Sequence, residues 1–162
     1  MDFDRDTLLT MSDEALSARC RISFCKGSGP GGQKRNKTSS MVKVELPELN
    51  LAASDCTERS QFRNREKALK KLKMLAAINF RRTDALPPEN MNCSMDSARY
   101  PLFAARLLDV LKAKGFDCRQ AAEACAVSPS ALLKKIFRDP QLLQYFQEQR
   151  RRLELPELHP PR

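Results

Sequence analysis

Tryptophan is absent from this chain, histidine occurs once, and aromatic residues make up only 6% of it. So few rings argue against RNA binding through an aromatic stacking platform, which needs several exposed bases-worth of π surface. The lone His159 lies in a proline-rich tail, which argues against a zinc site. Six cysteines are present, but none stands in a Cys-x-x-Cys pair. They are read as reduced thiols that act as small apolar fillers in a cytoplasmic setting. Residues 1–6 are acidic and lack an apolar core, unlike a secretory leader or an Arg-rich transit sequence. No apolar run approaches the length needed to cross a membrane. No cofactor is expected.

Glycine is scarce as well, with five in 162 residues, yet four of the five fall in Gly27-Ser28-Gly29-Pro30-Gly31-Gly32. A hairpin turn needs one or two such residues. The surplus points to backbone that must approach something closely. Gln33, Lys34, Arg35, Asn36, Lys37, Thr38, Ser39 and Ser40 follow, supplying three cations and several neutral hydrogen-bonding groups without a carboxylate. Bare amides beside cations suit a phosphate-rich or RNA-lined surface. The stretch is not a nucleotide-binding P-loop. Gly27 and Gly32 have the required spacing, but Gln33-Lys34 follows where Lys-Ser/Thr should open a helix, and Ser39 to Val44 reads as a strand. The dinucleotide fingerprint fails because no helix starts there.

Charge is concentrated in the same region. Residues 26–82 hold 14 Lys/Arg against 5 Asp/Glu, a balance of +9 that equals the formal net charge of the whole chain. Residues 1–25 carry −2 and residues 83–162 carry +2. Such a distribution is the electrostatic footprint of a nucleic-acid partner for one domain.

Hydrophobic periodicity gives the outline of an α+β protein. Ser12 with Asp13-Glu14 makes a cap for a short helix within Thr7 to Ala18. Arg21 to Lys26 alternates polar and apolar residues, predicting a strand with Ile22 and Phe24 inward, and Val42, Val44 and Leu46 share one face of a second strand. Pro47 to Asn50 is turn-like, and a third short strand is expected around Leu51 to Ala53. From Asn64 to Phe80 the period lengthens: Ala68, Leu69, Leu72, Leu75, Ala76 and Phe80 mark an amphipathic helix packed on the small sheet. Its other face is read as carrying Arg63, Lys67, Lys70, Lys71 and Lys73.

Residues 83–97, with Pro87-Pro88 and little periodicity, read as a linker. Beyond it, 98–155 predicts an all-helical module of four short helices, followed by a tail over 156–162. Pro101 suits a first turn, Gly115 a terminator, and Asp117, Ser128-Pro129 and Asp139-Pro140 three successive helix starts. Ala121 to Ile136 resembles a helix-turn-helix, although Ala126 stands where such turns usually have glycine. A module charge of only +2 favours a small packed bundle or a protein-docking element over nucleic-acid recognition. Arg150-Arg151-Arg152 offers cations near its end, blunted by Glu148 and Glu154.

The string Ser28-Gly29-Pro30-Gly31-Gly32-Gln33-Lys34-Arg35-Asn36-Lys37-Thr38 resembles the Gly-Gly-Gln motif of class I peptide chain release factors and their short ribosome-rescue relatives. A second stretch, Arg59-Ser60-Gln61-Phe62-Arg63-Asn64-Arg65-Glu66-Lys67-Ala68, is similar to that family's Arg-Ser-Gln-x-x-Asn leading into the last helix of its hydrolase domain. Together they cover roughly residues 11–82 and place a hydrolase-type domain over 1–82, with the Gly-Gly-Gln loop protruding from the sheet.

The resemblance implies a ribosome-dependent peptidyl-tRNA hydrolase, partnered by large-subunit rRNA and peptidyl-tRNA. No His, Cys or carboxylate lies between Lys26 and Lys43, so the loop holds neither a nucleophile-base pair nor an acid-base couple. A positioned backbone N–H can still stabilise the oxyanion of ester hydrolysis, and Gly31 and Gly32 admit conformations closed to other residues. By the resemblance, the Gln33 N–H stabilises the transition state and leaving group while its side chain places the water. Lys34, Arg35, Asn36, Lys37 and Thr38, with Arg59, Arg63, Lys67, Lys70 and Lys71, are the implied RNA contacts. Many relatives have His-Val where this chain has Lys34-Arg35.

Codon-reading domains do not fit within this length, so stop-codon decoding is not expected. The strongly basic tail of rescue relatives is replaced here by the nearly neutral helical module. Three readings stand at this point: a codon-independent peptidyl-tRNA hydrolase, a noncatalytic ribosome or rRNA binder, and a nucleic-acid-binding regulator led by the helical module.

Overall fold

The computed structural model describes residues 4–25 and 41–161. The chain divides into two compact units, Met1–Ala76 and Ala77–Arg162. Together they form an α+β protein in which a three-stranded antiparallel sheet belongs to the first unit and four consecutive helices to the second.

Two short helices open the first unit, α1 (Arg5–Thr10) and α2 (Asp13–Arg19). The Ser12 side chain accepts from the Ala15 N–H at 3.2 Å, as its sequence position requires. The earlier helix was not anticipated, although its signal is equally local: Asp4 caps it by accepting from the Thr7 N–H at 3.1 Å. Each such cap contributes about 1 kcal/mol. Extended backbone at Met11 (ψ 143°) and Ser12 (ψ 158°) separates the two helices.

The sheet has the order β1 (Arg21–Cys25), β2 (Met41–Leu46), β3 (Leu51–Asp55). Phe24 pairs with Val42, Ile22 with Val44, and Leu46 with Leu51. Val42, Val44 and Leu46 are fully buried, as the alternation demands. The expectation for β1 needs correction. Ile22 is only half-buried and Phe24 is 54% exposed. Alternation reports which residues share a face, but β1 is an edge strand, and burial of an edge face depends on what covers it. A single 3₁₀ turn at Pro47–Leu49 and a left-handed Asn50 (φ 51°) join β2 to β3.

Helix α3 (Gln61–Asn79) completes the first unit and contains the division between the two. Ala68, Leu69, Leu72, Ala76 and Ala77 are buried, the i, i+3, i+4 stripe of an amphipathic helix. Lys73 falls on that same stripe and is buried with it, so its assignment to the exposed basic face is overturned. Its ammonium donates to the Met11 carbonyl at 2.7 Å and meets Asp13 at 2.8 Å, which satisfies the charge in place.

Residues 80–99 contain neither helix nor strand. They are nonetheless tied to the helices that follow: Arg106 meets Glu89 at 3.0 Å, Lys135 donates to Asn92 at 3.2 Å, and Arg138 donates to the Cys93 carbonyl at 3.0 Å. The helices are α4 (Tyr100–Ala113), α5 (Cys118–Ala124), α6 (Pro129–Arg138) and α7 (Pro140–Arg152). Asp117, Ser128 and Asp139 cap the last three, and Pro129 and Pro140 begin α6 and α7. Gly115 is left-handed (φ 56°), as a helix terminator should be. Leu107, Leu108, Leu111, Leu132, Ile136, Leu142 and Phe146 form the interior. Inside it, the Tyr100 hydroxyl donates to Asp139 at 2.8 Å. Burial and the neighbouring carboxylate both push that phenol's pKa well up.

Candidate nucleic-acid interface

The glycine-rich stretch lies between two neighbouring strands whose last pair is Cys25 with Met41. Cys25 and Met41 therefore lie side by side at one end of the sheet. Gly31, Gly32, Gln33, Lys34, Arg35, Asn36, Lys37 and Thr38 lie outside the described residues. The described residues fix the frame to which that segment is anchored.

Asp55 pairs with Val42, next to Met41, so β3 also finishes at this end of the sheet. The chain then turns into α3 through a corner organised by Asn64. This side chain is fully buried; its amide accepts from the Glu58 N–H at 2.8 Å and donates to the Glu58 carbonyl at 3.0 Å. Two polar groups of an irregular corner are thereby satisfied by one residue. In the sequence Asn64 stood as the start of the helical period and as part of a family resemblance; the structure supplies its physical role.

Lys67 donates to Glu58 at 2.6 Å and to the Thr57 hydroxyl at 2.9 Å, and Lys71 meets Asp55 at 2.7 Å and the Ser54 carbonyl at 3.1 Å. The hydrogen bond from Lys67 holds the Glu58 carboxyl below its usual range. At Asp55 burial acts to raise the pKa, but hydrogen bonds from Lys71 and from the Thr57 N–H and hydroxyl outweigh it and leave the carboxyl lowered. A phosphate reaching Lys67 or Lys71 would compete with these carboxylates. Arg59 and Arg63 are exposed and Lys70 half-buried, and their side chains make no hydrogen bond or ion pair among the described residues.

These contacts also orient α3. Lys71 reaches residues 54 and 55, Lys67 reaches 57 and 58, and Asn64 reaches 58. Going back along the helix therefore means going outward past the end of β3. Residues 59–63 lie toward the end of the sheet at which Cys25 pairs with Met41. Phe62, 68% exposed, stands between the two free arginines. Nothing in its hydrophobic periodicity marked it.

The second unit offers fewer free cations than its sequence suggests. Arg150 is buried, donating to the Phe116 carbonyl at 2.6 Å and to the Pro156 carbonyl at 2.9 Å, and Arg152 pairs with Glu148. Glu148 thus blunts the run Arg150 to Arg152 as its sequence suggests, and burial of Arg150 blunts it further. On α6, Lys135 and Arg138 hold the 92–93 segment, and Lys134 remains exposed. At the α5–α6 turn Ala126 takes the left-handed conformation (φ 55°) that glycine usually fills. Among the described residues no group of three His, Cys, Asp or Glu could hold a metal ion, and no helix is long and apolar enough to cross a membrane.

The architecture is thus a small α+β domain with a glycine-rich, cation-flanked segment set between its first two strands, joined to an all-helical unit. The family model described as the RF-1 domain matches residues 13–94, half of the chain, and the chain belongs to that family. The match contains both Gly31-Gly32-Gln33 and the Arg59 to Asn64 corner, and runs beyond residue 82 into the stretch before α4. Peptide chain release factor 2 of an Exiguobacterium species is 40% identical over 72 residues, 44% of this chain and 19% of that protein. Peptide chain release factor 2 of Rickettsia typhi is 32% identical over 93 residues, 56% of this chain and 24% of that protein. Peptide chain release factor 1 of Xylella fastidiosa is 41% identical over 56 residues, 35% of this chain and 16% of that protein. The chain thus spans about a fifth of the length of these relatives. No solved structure matches.

Proposed function

We propose that the protein hydrolyses the ester of peptidyl-tRNA in the large ribosomal subunit without reading a codon, releasing nascent chains from stalled ribosomes in the cytoplasm. The observation that carries this reading is the membership of residues 13–94 in the RF-1 domain family, with Gly31-Gly32-Gln33 inside the matched span. In this reading residues 1–82 act as the hydrolase domain, 83–97 connect, and 98–155 form a module that docks on a partner.

Gly31 and Gly32 bring the backbone against the ester, the Gln33 N–H stabilises the developing oxyanion, and the Gln33 side chain places the water. The ribosome supplies the rest of the active site. Lys34, Arg35, Asn36, Lys37 and Thr38 hold the loop against rRNA, and Arg59, Arg63, Lys67, Lys70 and Lys71 add phosphate contacts from α3. The paired strands at Cys25 and Met41 give the loop a fixed root.

Release of labelled peptide from stalled ribosome complexes tests the reading, with the A site carrying a stop codon, a sense codon or no mRNA. Wild-type protein should release peptide in all three, and Gln33→Ala should lower release by two orders of magnitude or more while still binding the ribosome. Release only on stop codons would overturn codon independence. No release from any complex, isolated large subunits with peptidyl-tRNA included, would leave a noncatalytic binder.

A further inference from the structure

We infer that Phe62, between Arg59 and Arg63, forms a second RNA contact beside the glycine-rich segment, the ring stacking on an unpaired base while the arginines hold its flanking phosphates. The inference deepens the proposed function and rests on its RNA-facing reading of the first unit. The chain has too few rings for a stacking platform, so one ring meeting one base is all that is inferred, and single exposed hydrophobic residues are ordinary on protein surfaces. What separates Phe62 from them is its company and its position.

The ring is 68% exposed in the first turn of α3, where the helix begins to bury its apolar stripe only at Ala68 and Leu69. It does no work in the core. Arg59 and Arg63 are exposed and make no side-chain hydrogen bond or ion pair among the described residues, Arg63 favouring the Glu58 carboxylate only through its charge, whereas Lys67 and Lys71 on the same helix are held by Glu58 and Asp55. The corner that carries them is not a loose loop, because buried Asn64 binds both the N–H and the carbonyl of Glu58. An exposed aromatic on a fixed corner, flanked by two exposed guanidinium groups, fits an unstacked nucleotide, whose base offers a π face and whose phosphates offer the countercharge.

Its place agrees. The contacts of Asn64, Lys67 and Lys71 put residues 59–63 beyond the end of β3, at the end of the sheet where Cys25 and Met41 root the glycine-rich segment. A surface that meets RNA through that segment would present Phe62 to the same RNA.

Equilibrium binding of the full chain to purified large ribosomal subunits tests this. Phe62→Tyr should bind like wild type, and Phe62→Leu, which keeps the apolar bulk but not the π face, should bind about tenfold more weakly. Both should melt at the wild-type temperature. With p-benzoylphenylalanine at position 62, irradiation on the subunit should produce a cross-link to ribosomal RNA. Wild-type affinity in Phe62→Leu, or a cross-link confined to ribosomal protein, would overturn the inference while leaving Gln33-dependent peptide release intact. Failure of the proposed hydrolysis would appear separately, as absent release with Phe62-dependent binding preserved. Absence of wild-type binding to the subunit would overturn the RNA contact itself.

Discussion

Lys73 of α3 lies 2.8 Å from Asp13 at the start of α2, in a position where the helix stripe calls for an apolar residue. The ammonium is almost wholly enclosed, while the carboxylate is partly open to solvent. Removing the carboxylate leaves an enclosed cation with only the Met11 carbonyl for company. Asp13→Asn should therefore destabilise the first unit by about 1–2 kcal/mol, below the 3–5 typical of fully buried pairs because Asp13 is half in water. Lys73→Met, which removes both charge and desolvation, should stay within about 1 kcal/mol of wild type. Urea unfolding followed by circular dichroism checks the asymmetry; equal losses would show that packing, not charge, governs the site.

Asn64 and Glu58 predict a coupling between fold and surface. Asn64→Ala would orphan two backbone groups at the β3–α3 corner and should cost about 2–3 kcal/mol. Asn64→Asp keeps the acceptor but turns it toward the Glu58 carbonyl as well, and should be no better. At temperatures where the variants remain folded, ribosome affinity should fall too, because Arg59, Phe62 and Arg63 depend on that corner. Denaturant midpoints and binding curves on the same samples separate the two effects.

The acid limb of stability should depend on Asp55. Its folded pKa is lowered, so its contribution is complete above the ordinary aspartate pKa near ~3.9 and is lost as the pH falls through the folded value. Lys71→Met removes a hydrogen-bond donor to this carboxylate and should move the acid-unfolding midpoint upward. Asp55→Asn should flatten the pH dependence in that window. A titration from pH 5 to about 1.5 by circular dichroism reads both, and an unchanged limb in Lys71→Met would refute the assignment.

Ala126 occupies the left-handed region at the α5–α6 turn. For an L-residue this conformation costs about 1–2 kcal/mol, and glycine's extra freedom in the unfolded chain returns about 0.4–1 of it. Ala126→Gly should therefore stabilise the second unit by about 0.5–1 kcal/mol, visible as a rise of a few degrees in Tm. A fall would mean that the alanine methyl contributes packing its exposure does not suggest.

The sequence was most informative where the controlling forces are local. Ser12, Asp117, Ser128 and Asp139 act as caps because a side-chain oxygen finds N–H groups two or three residues on. Val42, Val44 and Leu46 are buried because a strand alternates. The helix α1 was missed although its Asp4 cap is of the same kind, and α3 begins three residues earlier than its periodicity indicated, since the first turn carries the exposed Phe62 rather than an apolar stripe.

Within the candidate interface, residue type and order identified the glycine-rich segment and the basic character of α3, and they determined the α+β outline and the four helices of the second unit, three of them capped. Which cations remain available was decided only in three dimensions. Lys73 and Arg150 are enclosed, Lys67 and Lys71 are engaged, and Arg59 and Arg63 stand free. The reason is that a cap or an alternation is complete within a few residues, whereas an ion pair joins positions such as 13 and 73 whose proximity exists only once sheet and helices have packed.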